Sequence, residues 1–184
     1  MIHLTAADYR VMPWANGKGM TTELWREDQG GALLWRLSRA AVVEEGPFSI
    51  FPGINRNLTV INGPGFDLVS DGVHLAARPL QPVAFSGDLA IRAEKVTAPS
   101  DDFNVMTSTR LPQPGVTVTA DSERIHPPPN GLVCLYALGP VTVDGRTMNA
   151  TDLVLSRGVV EKGGGLALVV TLSDGGQSQI RNQP

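Results

Sequence analysis

The chain of 184 residues is poor in cysteine and lysine. Its one cysteine, Cys134, excludes an intrachain disulfide, and the apolar run Leu132–Tyr136 around it predicts a buried thiol that packs as a small hydrophobe. Only three of the fifteen basic residues are lysines. The net charge is −3 and no block of like charge occurs, so the composition gives no reason to expect a nucleic-acid partner.

Long apolar runs are also missing. No stretch approaches the roughly 20 apolar residues of a membrane-spanning helix, and Met1–Asp8 lacks the basic segment and apolar run of a signal peptide. The hydrophobic content of 42% and charged content of 18% fit a folded globular protein. We therefore expect a cytoplasmic protein with no membrane partner.

Histidine is scarce and scattered. His3, His74 and His126 show no spacing typical of metal ligands, so we expect no metal centre and no cofactor. Nucleophilic catalysis is not indicated either, because Cys134 has no positioned histidine and no serine lies in a glycine-flanked elbow. The sequence therefore assigns no catalytic residue.

Short apolar or alternating segments separated by glycine-rich turns run along the whole chain, which predicts an all-β protein. Little helix is expected, apart from a turn near Ala6–Tyr9. One turn, Asn62-Gly63-Pro64-Gly65, lies between the apolar segments Leu58–Ile61 and Phe66–Val69, which is the pattern of a β-hairpin.

The second half of the chain repeats the order of the first at an offset of roughly 70 to 75 residues, a domain-scale repeat. For example, Leu132–Tyr136 corresponds to Leu58–Asn62. The shared order of strands and turns is that of a jelly-roll half. It predicts two fused jelly-roll barrels: residues 1–110 with the candidate site, a degenerate second barrel at 111–175, and a flexible tail at 176–184.

Polar residues interrupt the apolar faces of three predicted strands. Period-two alternation places Arg36 and Ser38 among apolar side chains of Leu33–Val43. Because an unpaired buried arginine is costly, Arg36 either meets a carboxylate such as Glu23 or faces a pocket that receives an anion. An internal ion pair or an exposed edge explains the pattern equally well.

The other polar positions follow the same alternation. Asn104 shares a face with Met106, and Thr21 and Glu23 share a face with Trp25. The segment Gly46–Arg56 holds two phenylalanines, two prolines and two glycines, which predicts a shaped loop that delivers Arg56 to the mouth of a pocket.

Three stretches resemble the HutD/Ves family of the cupin superfamily: Pro13–Leu24, Trp35–Ala40 continuing into Gly46–Arg56, and Asp102–Met106. The resemblance implies a two-barrel cupin (bicupin) fold and a cytoplasmic location. For HutD it implies a regulatory or accessory role in histidine utilisation, with a metabolite such as urocanate or formylglutamate as ligand. The Ves branch is described as stress-induced. The family's pocket residues carry over onto Trp14, Asn16, Thr21, Glu23, Arg36, Ser38, Arg56 and Asn104.

These residue types suit a small carboxylate or imidazole metabolite. Arg36 and Arg56 can hold a carboxylate through bidentate bonds, Trp14 can stack on a planar group, and the amides of Asn16 and Asn104 offer donors and acceptors. Two alternatives stay open: a metal-free isomerase or hydrolase with Glu23 as base, and an interaction protein with a vestigial pocket. We expect a monomer or a homodimer, because cupins often pair edge strands.

Overall fold

The computed structural model describes residues 1–13 and 19–175. These residues contain one short 3₁₀ helix, Ala6–Asp8, and nineteen β-strands, with no α-helix among them. In chain order the strands are β1 (Ile2–Leu4), β2 (Arg10–Pro13), β3 (Met20–Gln29), β4 (Ala32–Val42), β5 (Gly46–Pro47), β6 (Ile54–Asn62), β7 (Phe66–Ser70), β8 (Val73–Ala77), β9 (Val83–Ser86), β10 (Arg92–Glu94), β11 (Ser100–Ser108), β12 (Gly115–Thr119), β13 (Glu123–Ile125), β14 (Gly131–Ala137), β15 (Val141–Val143), β16 (Arg146–Met148), β17 (Leu153–Ser156), β18 (Val160–Lys162) and β19 (Ala167–Ser173). The all-β prediction is confirmed.

The strands belong to two compact units. The N-terminal unit is Arg10–Thr109, and the C-terminal unit combines Met1–Tyr9 with Arg110–Pro184. The first residues join the C-terminal unit because β1 pairs with β17, Ile2 opposite Leu155. The sequence had placed residues 1–110 together, since a three-residue strand gives no sign of its distant partner. The predicted tail at 176–184 lies outside the described residues.

In the N-terminal unit, a six-stranded sheet (β2-β3-β4-β11-β6-β9) and a four-stranded sheet (β5-β10-β7-β8) are both antiparallel. Their inner faces share one apolar core. Leu58 and Val60 come from the larger sheet and Phe66 and Leu68 from the smaller one, all fully buried. Burying such side chains stabilises the fold by about 1.5–3 kcal/mol each.

The C-terminal unit has the same two-sheet plan. A five-stranded sheet (β1-β17-β14-β19-β12) and a four-stranded sheet (β13-β18-β15-β16) enclose a core that includes Val133, Leu135, Val143 and Val169. Cys134 is 1% exposed, and burial raises the pKa of its thiol. The predicted role of this cysteine as a small buried hydrophobe is confirmed.

The internal repeat is visible in the strand order. The order β4-β11-β6-β9 of the first unit recurs as β12-β19-β14-β17 in the second, and β5-β10-β7-β8 recurs as β13-β18-β15-β16. Eight successive strands, β4–β11, therefore have the same arrangement as the next eight, β12–β19. We call these two sets the first and second modules.

One predicted connection is wrong. The Asn62-Gly63-Pro64-Gly65 turn does not close a hairpin, because β6 and β7 lie in different sheets. A Cβ atom at Gly65, where φ is +85°, would lie 2.2 Å from the Ala77 carbonyl oxygen, so this turn requires glycine. It carries the chain from one sheet to the other. In the described ranges, no helix is long and apolar enough to cross a membrane.

Candidate ligand-binding cavity

A cavity of about 450 Å³ lies over the inner face of the six-stranded sheet in the N-terminal unit. Its floor comes from strands β3, β4, β6 and β11, and one wall comes from the segment 42–51. The polar floor residues are Thr21, Arg36, Ser38, Arg56, Asp102 and Asn104. A cavity of this volume accommodates a small metabolite.

Strand register brings these floor residues together. Met106 on β11 lies opposite Arg36 on β4 and opposite Arg56 on β6, and Asn104 lies opposite Ser38 in the next row. Successive side chains along a strand point to opposite faces, so residues two apart share the cavity face. The alternation read from the sequence therefore corresponds to a real polar floor.

Arg56 is the central cation of the cavity. It is 7% exposed, and its guanidinium carbon lies 5.3 Å, 5.4 Å and 5.0 Å from the ring centroids of Phe48, Phe51 and Phe85. We call these three rings the aromatic collar. Contacts of this kind between a cation and aromatic rings are favourable. Burial lowers the pKa of Arg56 to about 10, so the side chain stays cationic at neutral pH.

Backbone hydrogen bonds fix the collar in place. Phe48 N donates to Ile91 O at 2.8 Å and Phe51 N to Gly87 O at 2.8 Å, while Gly87 N donates to Ile54 O at 2.7 Å. A Cβ atom at position 87 would lie only 2.5 Å from Phe51 O, so this close approach requires glycine. The loop was expected to end in Arg56, but that residue lies within β6.

A relay of side chains joins Arg56 to a buried carboxyl group. Arg56 Nη2 donates to Asn104 Oδ1 at 2.8 Å, and Asn104 Nδ2 donates to Asp102 Oδ1. Asp102 is 1% exposed. Burial raises the pKa of Asp102 to about 7, and the charge of Arg56 opposes part of that rise. Within residues 1–13 and 19–175, Arg56 Nε has no hydrogen-bond partner.

Arg36 forms an ion pair at the other side of the floor. Its Nε atom lies 2.8 Å from Glu23 Oε2, and both side chains are 12% exposed. Burial lowers the pKa of Arg36, while the Glu23 charge raises it. Of the alternatives left open by the sequence, the structure shows the contact with the Glu23 carboxylate, and Arg36 also lines the cavity.

Most of the predicted site residues lie together. Thr21, Arg36, Ser38, Arg56 and Asn104 line the one cavity, and Glu23 reaches it through its contact with Arg36. Trp14 and Asn16, the other two predicted residues, lie outside the described part of the chain.

Trp25 is not on the predicted face. The register between β3 and β4 shifts between Glu23 and Trp25, so Trp25 lies opposite Leu37 and stacks on Trp35 with ring centroids 6.3 Å apart. A β-bulge of this kind breaks the period of two.

Two residues near Arg56 were not predicted from the sequence: Asp102, which lines the cavity, and Phe85, which contacts Arg56. Asp102 lies two residues before Asn104 on the same strand face, so the alternation that selected Asn104 could also have selected Asp102. Phe85 completes the collar from β9, about thirty residues after Arg56 in the chain. No local pattern links Phe85 to the loop.

A divalent metal, which many cupins bind, does not fit these residues. Across the described ranges, no three His, Cys, Asp or Glu side chains are grouped so that they could hold a metal ion. The cavity lining has two arginines and no imidazole, and its carboxyl groups, Asp102, Glu44 and Glu45, are not grouped as metal ligands. The donor set instead favours an anion.

Comparison with known proteins places the chain in a family. A family model described as HutD matches residues 6–171. The structure of HutD from Pseudomonas fluorescens SBW25 is similar with a TM-score of 0.82 and 31% sequence identity, covering 93% of this chain and 98% of that one. A cupin 2 conserved barrel domain protein from Leptotrichia buccalis has a TM-score of 0.54 at 11% identity, covering 83% and 89% of the two chains. That likeness concerns the fold alone.

A curated relative is described by the position of its gene. An uncharacterized 21.2 kDa protein of Pseudomonas putida, described as lying in the hutC 3′ region, is 41% identical over 108 residues. The match covers 56% of this chain and 56% of that relative, so the chain spans little more than half of the relative's length. Together with the family model, which covers most of the chain, these likenesses show that the chain belongs to the HutD family, with a cupin-like fold.

Proposed function

We propose that the protein binds a small anionic metabolite in the cavity, without a metal ion, and has a regulatory or accessory role in histidine utilisation. The observation that carries the proposal is Arg56, a buried cation that lines the cavity and is bonded to a neutral amide. The nearest carboxyl group, Asp102, is separated from the guanidinium by the Asn104 amide, so the buried charge is only partly compensated. A buried charge is costly unless it is paired, and an anionic ligand in direct contact would compensate it further. The names of the family and of the Pseudomonas putida relative support the histidine-utilisation context.

The geometry favours a planar or dicarboxylate ligand. A guanidinium group offers paired N–H donors that match a carboxylate, and the aromatic collar around Arg56 keeps water away from that contact. Arg36 lies two strands from Arg56, and both residues are opposite Met106. The usual strand spacing puts the Cα atoms of the two arginines about 10 Å apart. Urocanate suits the single site at Arg56, and formylglutamate can also reach Arg36 with its second carboxylate.

A role in binding is better supported than catalysis. Glu23, the candidate base, is held 2.8 Å from Arg36 as its counter-ion. This contact engages the carboxylate oxygen that a catalytic base would need for its substrate. The proposal therefore describes a cytoplasmic binding protein, a monomer or a homodimer, that leaves its ligand unchanged.

Isothermal titration calorimetry on chelator-treated protein tests the binding. We expect urocanate or formylglutamate to bind, and we expect the Kd of that ligand to be the same with and without added divalent metal. Arg56→Ala should weaken binding at least about 30-fold, because removing one partner of a buried charge contact costs about 2–5 kcal/mol. Arg92→Ala is the matched control, since Arg92 lies in the same unit with an exposed side chain. Unchanged binding by a folded Arg56→Ala variant would refute the proposal.

Proton NMR of each ligand incubated with the protein separates binding from turnover. We expect the spectrum of the ligand to stay unchanged over hours. Conversion of the ligand by the wild-type protein, lost in Glu23→Gln, would instead establish the metal-free enzyme.

A further inference from the structure

Asp102 is an unexpected residue in a cavity for an anion. Its carboxyl group is 1% exposed and lines the same cavity as Arg56. Its hydrogen-bond partner is the neutral amide of Asn104 rather than a cation. An ionised ligand and an ionised Asp102 would therefore share one buried cation.

We propose that Asp102 takes up one proton when an anion docks on Arg56, so that the cavity binds the anion and a proton together. This inference rests on the proposed function and assigns Asp102 as the residue that couples binding to pH. It also defines the ligand: an anion that carries a hydrogen-bond acceptor able to face a protonated carboxyl group.

The physical reason is the repulsion between two carboxylates at one site, where at most one stays ionised. The Asn104 amide fixes the geometry, because it accepts from Arg56 and donates to Asp102. Burial already raises the pKa of Asp102 to about 7, so a nearby anion completes the protonation at little cost near neutral pH. The protonated group then offers an O–H donor that a carboxylate lacks.

Charged groups around Asp102 come from several strands. Arg56 on β6 and Arg39 on β4 favour the ionised form of Asp102, while Asp101 on β11 disfavours it. The Arg36–Glu23 pair and the carboxylates of Glu44 and Glu45 also lie at the cavity. Arg56, with a pKa of about 10, keeps its charge between pH 6 and 8. A change in affinity across that range therefore reports on Asp102.

The test is calorimetric titration with N-formylglutamate from pH 6 to pH 8.5, because the carboxyl groups of that ligand are fully ionised throughout. Each pH is measured in two buffers of different ionisation enthalpy, which counts the protons taken up. For wild-type protein we expect a nearly constant Kd below pH 7. Above pH 7 the Kd should rise about tenfold per pH unit, with uptake approaching one proton per ligand.

Asp102→Asn keeps the acceptor oxygen for Asn104 but cannot ionise. We expect this variant to bind with the same Kd at every pH and without proton uptake. Asp101→Asn is the matched control, since it removes the same charge one residue away, where the side chain bonds to Asn62. We expect Asp101→Asn to keep the pH dependence, with at most a small shift of its midpoint.

The outcomes separate this inference from the proposed function. Binding with no pH dependence in the wild type, or with the same dependence in Asp102→Asn, would overturn the inference alone. Absence of binding by the wild-type protein at pH 6, for both formylglutamate and urocanate, would overturn the proposed function and the inference together. Should Asp102→Asn fail to fold, carbon-13 NMR of the wild-type carboxyl groups still decides, because saturating ligand should raise the pKa of Asp102.

Discussion

The two modules place opposite kinds of side chain at equivalent positions. The bond from Thr109 N to Gly53 O in the first module recurs as Asp174 N to Asn130 O in the second, which aligns their strands. This alignment and the strand registers identify the positions of the second module that are equivalent to the three polar residues of the first. All three of these equivalent positions hold apolar residues. Arg56 corresponds to Val133, Asn104 to Val169 and Asp102 to Ala167.

The difference shows that the polar cluster is not a requirement of this fold. Val133, Val169 and Ala167 pack into a continuous apolar core, at most 5% exposed, with the same strand order around them. Burying an arginine and a carboxyl group instead costs free energy. We infer that the first module keeps its cluster for binding, whereas the second module uses the same framework for stability.

The largest effect on stability is expected from placing a charge in the apolar core of the second module. Val169→Asp puts a carboxylate where Asn104 stands in the first module, but without a relay or a cation. We expect a loss of at least about 4 kcal/mol in the free energy of unfolding, because an unpaired buried charge is among the most destabilising changes. Urea denaturation measures it. Thr117→Asp is the control, since Thr117 lies opposite Val169 and is exposed; equal losses in the two variants would contradict the prediction.

The second prediction concerns the buried carboxyl group of the polar module. The pKa of Asp102 is raised to about 7, so the folded protein binds a proton that the unfolded chain has released above about pH 4. This contribution to stability is present in acid and disappears as pH rises to 7. We expect wild-type stability to fall relative to Asp102→Asn by about 1.4 kcal/mol per pH unit between pH 5 and pH 7. The free energies of unfolding of the wild type and of Asp102→Asn are measured in urea at each pH. The same pH dependence in both proteins would refute the prediction.

A third prediction concerns Asp67, a buried carboxylate whose pKa is lowered, whereas that of Asp102 is raised. It is 1% exposed and lies 2.7 Å from Lys95 Nζ, 3.0 Å from His74 Nε2 and 2.6 Å from Arg78 Nη2. Hydrogen bonds from these three residues hold the pKa of Asp67 well below its usual range. Its contribution to stability is therefore present above about pH 4 and disappears in stronger acid.

Asp67→Asn should cost about 1–2 kcal/mol at pH 7, a modest value because the three basic partners are largely exposed and screened by solvent. The loss should be constant from pH 5 to pH 8 and smaller in 1 M salt. Glu94→Gln, on the neighbouring strand with a more exposed side chain, is the control in urea unfolding. A loss that shrinks as pH rises from 5 to 8 would show that Asp67 resembles Asp102.

The smallest effect on stability is expected from making the first module resemble the second. The triple variant Arg56→Met, Asp102→Ala and Asn104→Val removes all three members of the relay at once. Replacing a complete buried polar cluster by apolar groups is often neutral, so at pH 6 the free energy of unfolding should stay within about 1 kcal/mol of the wild type. Binding of formylglutamate should be lost. A variant that fails to fold would show that the relay is structural.

Period-two reasoning predicted those features that depend on a single strand. It identified the polar face of β4, where Arg36 and Ser38 line the cavity, and the position of Asn104 on β11. It also recognised the repeated order of strands and turns, which survives in both modules because turn glycines and apolar segments are local signals. The family resemblance extended the candidate site to Thr21, which lines the same cavity.

Features that depend on distant parts of the chain were missed. The bulge beside Glu23 reversed the face of Trp25, and no residue type marks such a bulge in advance. The turn after β6 has the composition of a hairpin, yet the competing partners β9 and β11 decide where β6 pairs. The collar needs Phe85, which lies next to Arg56 because β9 pairs with β6.

The fixed aromatic collar has a consequence for the speed of binding. The loop that carries Phe48 and Phe51 is tied to residues 87 and 91 by backbone hydrogen bonds, with Gly87 allowing the close contact. Rings already in position do not have to be ordered when the ligand arrives, so little conformational entropy is lost. Association should therefore follow a single exponential phase in stopped-flow traces. Its rate should rise linearly with ligand concentration, without the plateau of a loop that must first close.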